Sequence, residues 1–231
     1  SGALRTHTFV PRAEDFDKSA ANVPFSYYKE LNDGGSAFLF YDLVGNALEL
    51  SVAAGELMKA KLSAVGGRFA QVAAIAAALP TGKPRWPWSV GSVSIGGVAI
   101  PELISATITL TENVEAAHTL NNSPFPNRVK RTGFRTVALE GTAKFDTQSE
   151  YQQFISQSER EAVLHFKGPT EVQSGFTEDL TLRLPLMRYR ENKPEVGGPG
   201  QIEVSFTAAG KYSVSSATAL RATLVNTLAG Y

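Results

Sequence analysis

The sequence predicts a mainly β protein, an antiparallel two-sheet β-sandwich or barrel with one flanking α-helix, and three observations carry that prediction. Apolar residues recur with a period of two in segment after segment from Ala37 to the C-terminus. One stretch, Thr147 to Ser158, carries a helical stripe behind a capping sequence. Strand patterns do not alternate with helical ones, so a doubly wound parallel sheet is excluded.

Composition bounds what such a fold can do. With 231 residues, 43% of them hydrophobic, the chain can bury a core without covalent staples. Cysteine is absent, which removes disulfides, thiolate metal sites and cysteine nucleophiles. Lys plus Arg and Asp plus Glu balance at 22 each, unlike the basic footprint of a protein that grips phosphates. The longest apolar run, "VAAIAAALP" from Val72, is short and alanine-rich, so no membrane partner is expected. The chain begins "SGALRT" rather than with Met, and a removed segment before Ser1 is expected.

Taken in order, residues 1–36 are polar and read as an N-terminal arm or docking segment, held by Phe9, Phe16, Phe25, Tyr27 and Tyr28. The sandwich domain is expected over 37–231. Leu48, Leu50 and Val52 form one strand face and Met58, Ala60 and Leu62 another, with "AAGE" at Ala53 to Glu56 as the turn between them. A first long excursion, at about 66–91, is marked by Gly66, Gly67, Pro80, Pro84 and Pro87, with one helical turn in its alanine run.

Ile104, Ala106, Ile108 and Leu110 then alternate with Ser105, Thr107, Thr109 and Thr111, a threonine-rich face that β-branching favours in a sheet. A second polar excursion spans 113–135 and leads into a strand whose face is Val137, Leu139, Gly141, Ala143 and Phe145. The helix follows: "TQSE" from Thr147 has capping-box spacing, and Tyr151, Phe154, Ile155 and Ser158 share one side. Tyr151, Phe154 and Ile155 form its core-facing side, each worth roughly 1.5–3 kcal/mol on burial against a sheet. Later strands centre on Ala162–Phe166, Leu180–Leu186, Ile202–Phe206 and Leu220–Val225. That last strand runs close to Tyr231 and needs a partner, in this chain or another.

Candidate chemistry is sparse. His7, His118 and His165 lack metal-ligand spacing, and there is no G-x-S-x-G nucleophile elbow. "GG" at Gly66 and "GGPG" at Gly197 lack the Lys and Ser/Thr of a phosphate-binding loop. The acidic runs near Glu14 and Glu178 lack the spacing of a calcium loop. Trp86 and Trp88, beside Arg85, read as packing a loop onto the sandwich rather than as a stacking platform. No enzyme, catalytic residue, metal or cofactor is expected.

A succession of motifs gives a positive reading. "SVGSVSIGGVAIPELISATITLTENVEAAHTLNNSPFP", "VALEGTAKFDTQSEYQQFISQSEREAVLHFKG", "LTLRLPLMRY", "GQIEVSFTAAGKY" and "ALRATLVNTLAGY" together resemble the tail tube (major tail) proteins of long-tailed, siphovirus-like bacteriophages. The resemblance covers roughly 88–231 in order, and "FLFYDLVGNALELSVAAGELMKAKLSAVGG" more loosely. It implies the tail-tube fold, in which one sheet of each sandwich joins its neighbours in a ring. Rings, six-fold most often and three-fold as the alternative, stack into a hollow conduit for DNA ejection. The implied partners are further copies of the chain, a tape measure protein and transient viral DNA in the lumen. The implied location is the tail tube of the virion, assembled in the host cytoplasm. Alternatives are another ring-forming tail component such as a distal tail protein, a carbohydrate-binding β-sandwich using Trp86 and Trp88, and a hydrolase on a β scaffold.

Two sets of site residues follow. The second excursion is expected to reach a neighbouring subunit or ring through Asn121, Asn122, Arg128, Lys130, Arg131 and Arg135, pairing there with acidic residues. The wall of the lumen should be polar, because a wall that bound phosphates at many points would slow a duplex. Its candidates are Thr107, Thr109 and Thr111, Glu140 and Thr142, and Glu203 and Ser205, the non-core positions of three strands.

Overall fold

The computed structural model describes residues 4–11, 24–30, 37–73, 86–120, 122–144, 158–195 and 203–227. Along them run β1 (Arg5–Phe9), β2 (Phe25–Glu30), β3 (Ala37–Ala53), β4 (Lys59–Val65), β5 (Arg68–Val72), β6 (Gly91–Ile95), β7 (Val98–Ala99), β8 (Leu103–Thr111), β9 (Val114–Ala117), β10 (Arg128–Arg131), β11 (Thr136–Lys144), β12 (Arg160–Gln173), β13 (Phe176–Glu195), β14 (Glu203–Lys211) and β15 (Arg221–Asn226). The expected helix core, Tyr151, Phe154 and Ile155, lies outside the described residues, as do the alanine run from Ala74 and Asn121. Among the described residues the fold is β, with a single 3₁₀ turn at Trp88–Val90 and no α-helix.

Thirteen strands join in one antiparallel hydrogen-bonded sheet, and β9 and β10 pair separately as a ribbon. The sheet makes two layers because β13, 20 residues long, serves both. Its first half pairs with β12 on one side and β15 on the other, at Asp179–Arg183. Its second half, Leu186–Glu195, pairs with β14, and the register shifts where the partner changes, between Leu184 and Met187 against β12, and again between Tyr189 and Glu191 against β14. Such a shift bends a strand and raises its twist. One layer is therefore β4-β3-β8-β11-β14 with the end of β13, and the other is β7-β6-β12 with the start of β13, then β15 and β1.

Alternation puts one face of each layer into a common core. Ala106, Ile108, Val137, Leu139, Phe206 and Ala208 from the first layer meet Ile95, Ala162, Leu164, Phe166, Leu180, Leu182 and Leu184 from the second. Gly141 opens room within it. A Cβ there would stand 2.6 Å from the Phe206 ring and 3.0 Å from the Ser105 carbonyl oxygen. Phe206 in turn meets Tyr189 edge-on, at 5.7 Å between centroids, beside the register shift that follows Tyr189.

The terminal strand finds its partners within the chain: β15 lies between β13 and β1. The N-terminal arm of the sequence reading is thus in part sheet, with β1 added to β15 and β2 to the first half of β3. The second half of β3 pairs with β4 and β8 in the main layer, and its first half pairs with β2 and β5 in a three-stranded extension. Gly66 and Gly67, at φ of 84° and 90°, turn β4 into β5, a backbone conformation that glycine alone adopts without strain.

Leu182, 2% exposed, sits in the second layer between Leu164 and Ala222. Leu182→Ala should cost about 2–5 kcal/mol in denaturant unfolding. A loss under about 1 kcal/mol would contradict the two-layer core.

Candidate functional site

The non-core face of the first layer is polar across strand after strand, and register fixes how its residues align. Ser51, Thr107, Glu140, Thr207 and Glu191 lie in one cross-strand row from β3 to β13. The neighbouring row runs Ser105, Thr142 and Ser205, and Thr109 stands between Glu49 and Ala138. Glu203 pairs with Lys144 at the end of β11. The structure therefore brings Thr107, Thr109, Thr111, Glu140, Thr142, Glu203 and Ser205 onto one face of one sheet. Glu140, Glu203 and Ser205 are exposed, and the four threonines are half-buried.

Between Thr107, Glu140, Thr142, Ser205 and Thr207 the surface dips into a shallow polar hollow. Charge is also ordered: Glu49, Glu140 and Glu203 occupy the central strands, and Lys59, Lys61, Lys144 and Arg188 stand at strand ends or on flanking strands. Such a wall offers hydroxyls and carboxylates along its central strands, and its cations are kept to strand ends and the flanking strands. Ser51, Glu49 and Thr207 belong to this face and escaped the sequence reading. The signal that finds them is the same period of two, extended one strand outward.

The second excursion is a folded element. Residues Val114–Ala117 and Arg128–Arg131 pair as a ribbon, so the segment is a β-hairpin with a long tip rather than an irregular loop. Arg131 and Arg135 do not point away from the chain, because both guanidinium groups are buried against Glu112. Arg135 Nε donates to Glu112 Oε1 at 2.7 Å and its Nη2 to Oε2 at 3.2 Å, and Arg131 donates to Oε2 as well. The three side chains are 2%, 2% and 17% exposed. A desolvated guanidinium needs a carboxylate, and the nearest one is in the same subunit.

The hairpin base is held further. Asn113, in the left-handed region at φ 53°, donates from Nδ2 to the Phe134 carbonyl and accepts from Thr132 N at 2.9 Å. Asn46 accepts from Val114 N through its side chain and from Glu112 N through its backbone. The alternation along β10 that buries Arg131 and lays Val129 over Gly66 leaves Arg128 and Lys130 exposed on the opposite face. Asn122, also at positive φ, is exposed. Of the six residues expected to contact a neighbour, Asn122, Arg128 and Lys130 are thus available, Arg131 and Arg135 are committed internally, and Asn121 lies outside the described residues.

Other candidates separate cleanly. Trp86 stacks on Phe166 at 6.4 Å and 12°, so the core consumes one ring of the supposed sugar platform. His165 meets Asp179 at 2.5 Å and His7 stacks on Phe9, and no cluster of three metal-ligating side chains occurs among the described residues. At the end of β14, Glu159 lies beside Lys211, whose hydrogen bond and charge hold its carboxyl below the usual value. A lowered folded value stabilises the chain above the ordinary carboxylate range, and that contribution is lost as pH falls through the folded value. Solvent screening at this exposed pair keeps it small.

Removing Glu112 would leave two buried guanidinium groups without their carboxylate. Glu112→Ala should therefore destabilise the subunit by about 3 kcal/mol, read from the shift of its denaturant midpoint. An unchanged midpoint would place the two arginines in solvent.

The family model for phage tail tube proteins matches residues 15–210. No curated protein matches the chain.

Proposed function

The chain belongs to the phage tail tube protein family, and on that premise we propose that it forms stacked rings whose inner wall is the polar face of the first layer. The family is structural rather than enzymatic, and its members assemble with one another in the virion tail. The ring, the DNA conduit and the tape measure protein within it are the finer reading proposed here, with six-fold symmetry favoured over three-fold and assembly in the host cytoplasm.

The observation that carries it is the row Ser51–Thr107–Glu140–Thr207–Glu191, a hydroxyl and carboxylate band crossing five strands of one sheet. A duplex carries one negative charge per about 1.7 Å of its axis, so a wall rich in cations would hold it at many points. A wall with carboxylates on its central strands keeps contacts weak and transient. The edges of the same layer support ring closure. Among the described residues β4 pairs only with β3, and the end of β13 past Met187 pairs only with β14. Unpaired edges of this kind accept a strand from a neighbour.

The β9–β10 hairpin supports contact between rings. Its base is pinned by Glu112, so Arg128 and Lys130 are presented on a rigid support, suited to acidic residues of a neighbouring subunit.

Glu140→Lys with Glu203→Lys tests the lumen assignment. Tubes should still assemble from this variant, and DNA ejection should slow at low salt and recover at high salt. Ejection kinetics unchanged across salt would remove this face from the lumen.

A further inference from the structure

The extension built from β2, the first half of β3 and β5 carries a ladder of aromatic rings that is half exposed at both of its outer members. Tyr27, Phe40 and Phe69 are directly opposite one another on the three strands. Their centroids are 6.2 Å and 6.4 Å apart, and Phe125 from the hairpin tip meets Phe69 edge-on at 6.2 Å. Tyr27 is 53% and Phe69 58% exposed. Contiguous exposed aromatic surface of this kind marks an interaction site rather than ordinary solvent-facing sheet. The exposed cations Arg128 and Lys130 stand at the same end, on the hairpin that packs Val129 against Gly66.

The other end of β3 carries the counterpart. There the two layers gape, leaving a hollow of about 330 Å³ lined by Val52, Trp88, Val93, Ile100, Leu103 and Phe166. Trp88 is 50% exposed at its mouth, with Leu57 and Val98 also exposed nearby. The acidic residues Glu102 and Glu56 lie in the turns that border it, Glu56 already paired with the exposed Lys59 at 2.6 Å, a surface contact that exchanges readily. Phe40 and Val52 belong to one strand, at opposite ends of a span of up to about 40 Å at roughly 3.3 Å per residue. Ladder and hollow therefore cannot meet within one copy.

We propose that the aromatic ladder of one copy seats over the hollow at the opposite end of the next copy, with Arg128 and Lys130 brought toward Glu56 and Glu102. The pairing is apolar on apolar with basic rim on acidic rim, and it commits the ladder to a second copy of this chain. Two different patches at opposite ends make the contact heterologous, so each copy added exposes a fresh ladder and a fresh hollow. Stacking is then open-ended and polar in direction. This rests on the tube reading and names the surfaces that would join its successive rings.

The test uses the full chain with Phe69→Asp, which disables the ladder, and with Trp88→Asp, which disables the hollow. Both side chains are half exposed, and Tyr27→Ser provides a second, milder ladder variant. Wild-type chain should form tubes in electron micrographs, and each variant alone should stop at unstacked particles. An equal mixture of Phe69→Asp and Trp88→Asp chains retains one good ladder and one good hollow. It should yield particles of twice the mass by sedimentation, and no tubes. Long tubes from either single variant, or no paired species in the mixture while wild type forms tubes, would overturn the docking and leave the tube reading standing. Absence of any assembly by wild type would overturn both.

Discussion

The structure depends on the continuity of backbone hydrogen bonding through the bend in β13. A two-layer sandwich normally leaves edges where its sheets separate, and each edge is a row of unpaired donors and acceptors. Here the strand passes from one layer to the other without leaving the ladder, pairing first with β12 and β15 and then with β14. Residues at the passage are those a bend requires. Tyr189 and Met187 are buried at 4% and 1% exposure, and the Tyr189 ring meets Phe206 over the space that Gly141 leaves. The core is therefore assembled from both halves of one strand, and what disturbs the bend disturbs both layers.

From that constraint follows the division of labour between faces. Once the inner faces are filled with Ile108, Leu139, Leu164 and Leu182, a period of two sends Thr107, Glu140, Thr181 and Arg183 outward. Local packing decides the charged groups that are not free to face solvent. Glu112 at the end of β8 draws Arg131 and Arg135 inward, and that clamp sets where the β9–β10 hairpin leaves the body. Function in such a molecule is distributed over surfaces, so its residues carry ordinary side-chain chemistry and act by where the sheet places them.

Much of this was legible in the sequence because alternation is a local signal. The strands around Ile108, Leu139, Leu164, Leu182 and Phe206 were readable, with their buried faces, and so was the turn at Ala54–Glu56. Strand length and partner choice were less so. Nothing in the alternation around Leu182 announces that β13 continues to Glu195 past a register shift, or that the polar N-terminal residues Arg5–Phe9 pair with the last strand. Arg131 and Arg135 of the second excursion turn inward, against expectation, for a physical reason. Composition marks a segment as charged, but whether a guanidinium faces solvent depends on a carboxylate 19 or 23 residues earlier in the chain. The ladder of Tyr27, Phe40 and Phe69 likewise needs three strands in register before it exists.

The central claim is that the face bearing Glu140 looks into the lumen. Electron cryomicroscopy of tubes assembled from the purified chain measures this directly, at a resolution that places strands. The account predicts that the strands carrying Thr107, Glu140 and Ser205 form the innermost wall of each ring, with Glu140 turned toward the axis and the second layer outside them. A reconstruction in which Thr181 and Thr223 face the axis and Glu140 faces the outer solvent would contradict it.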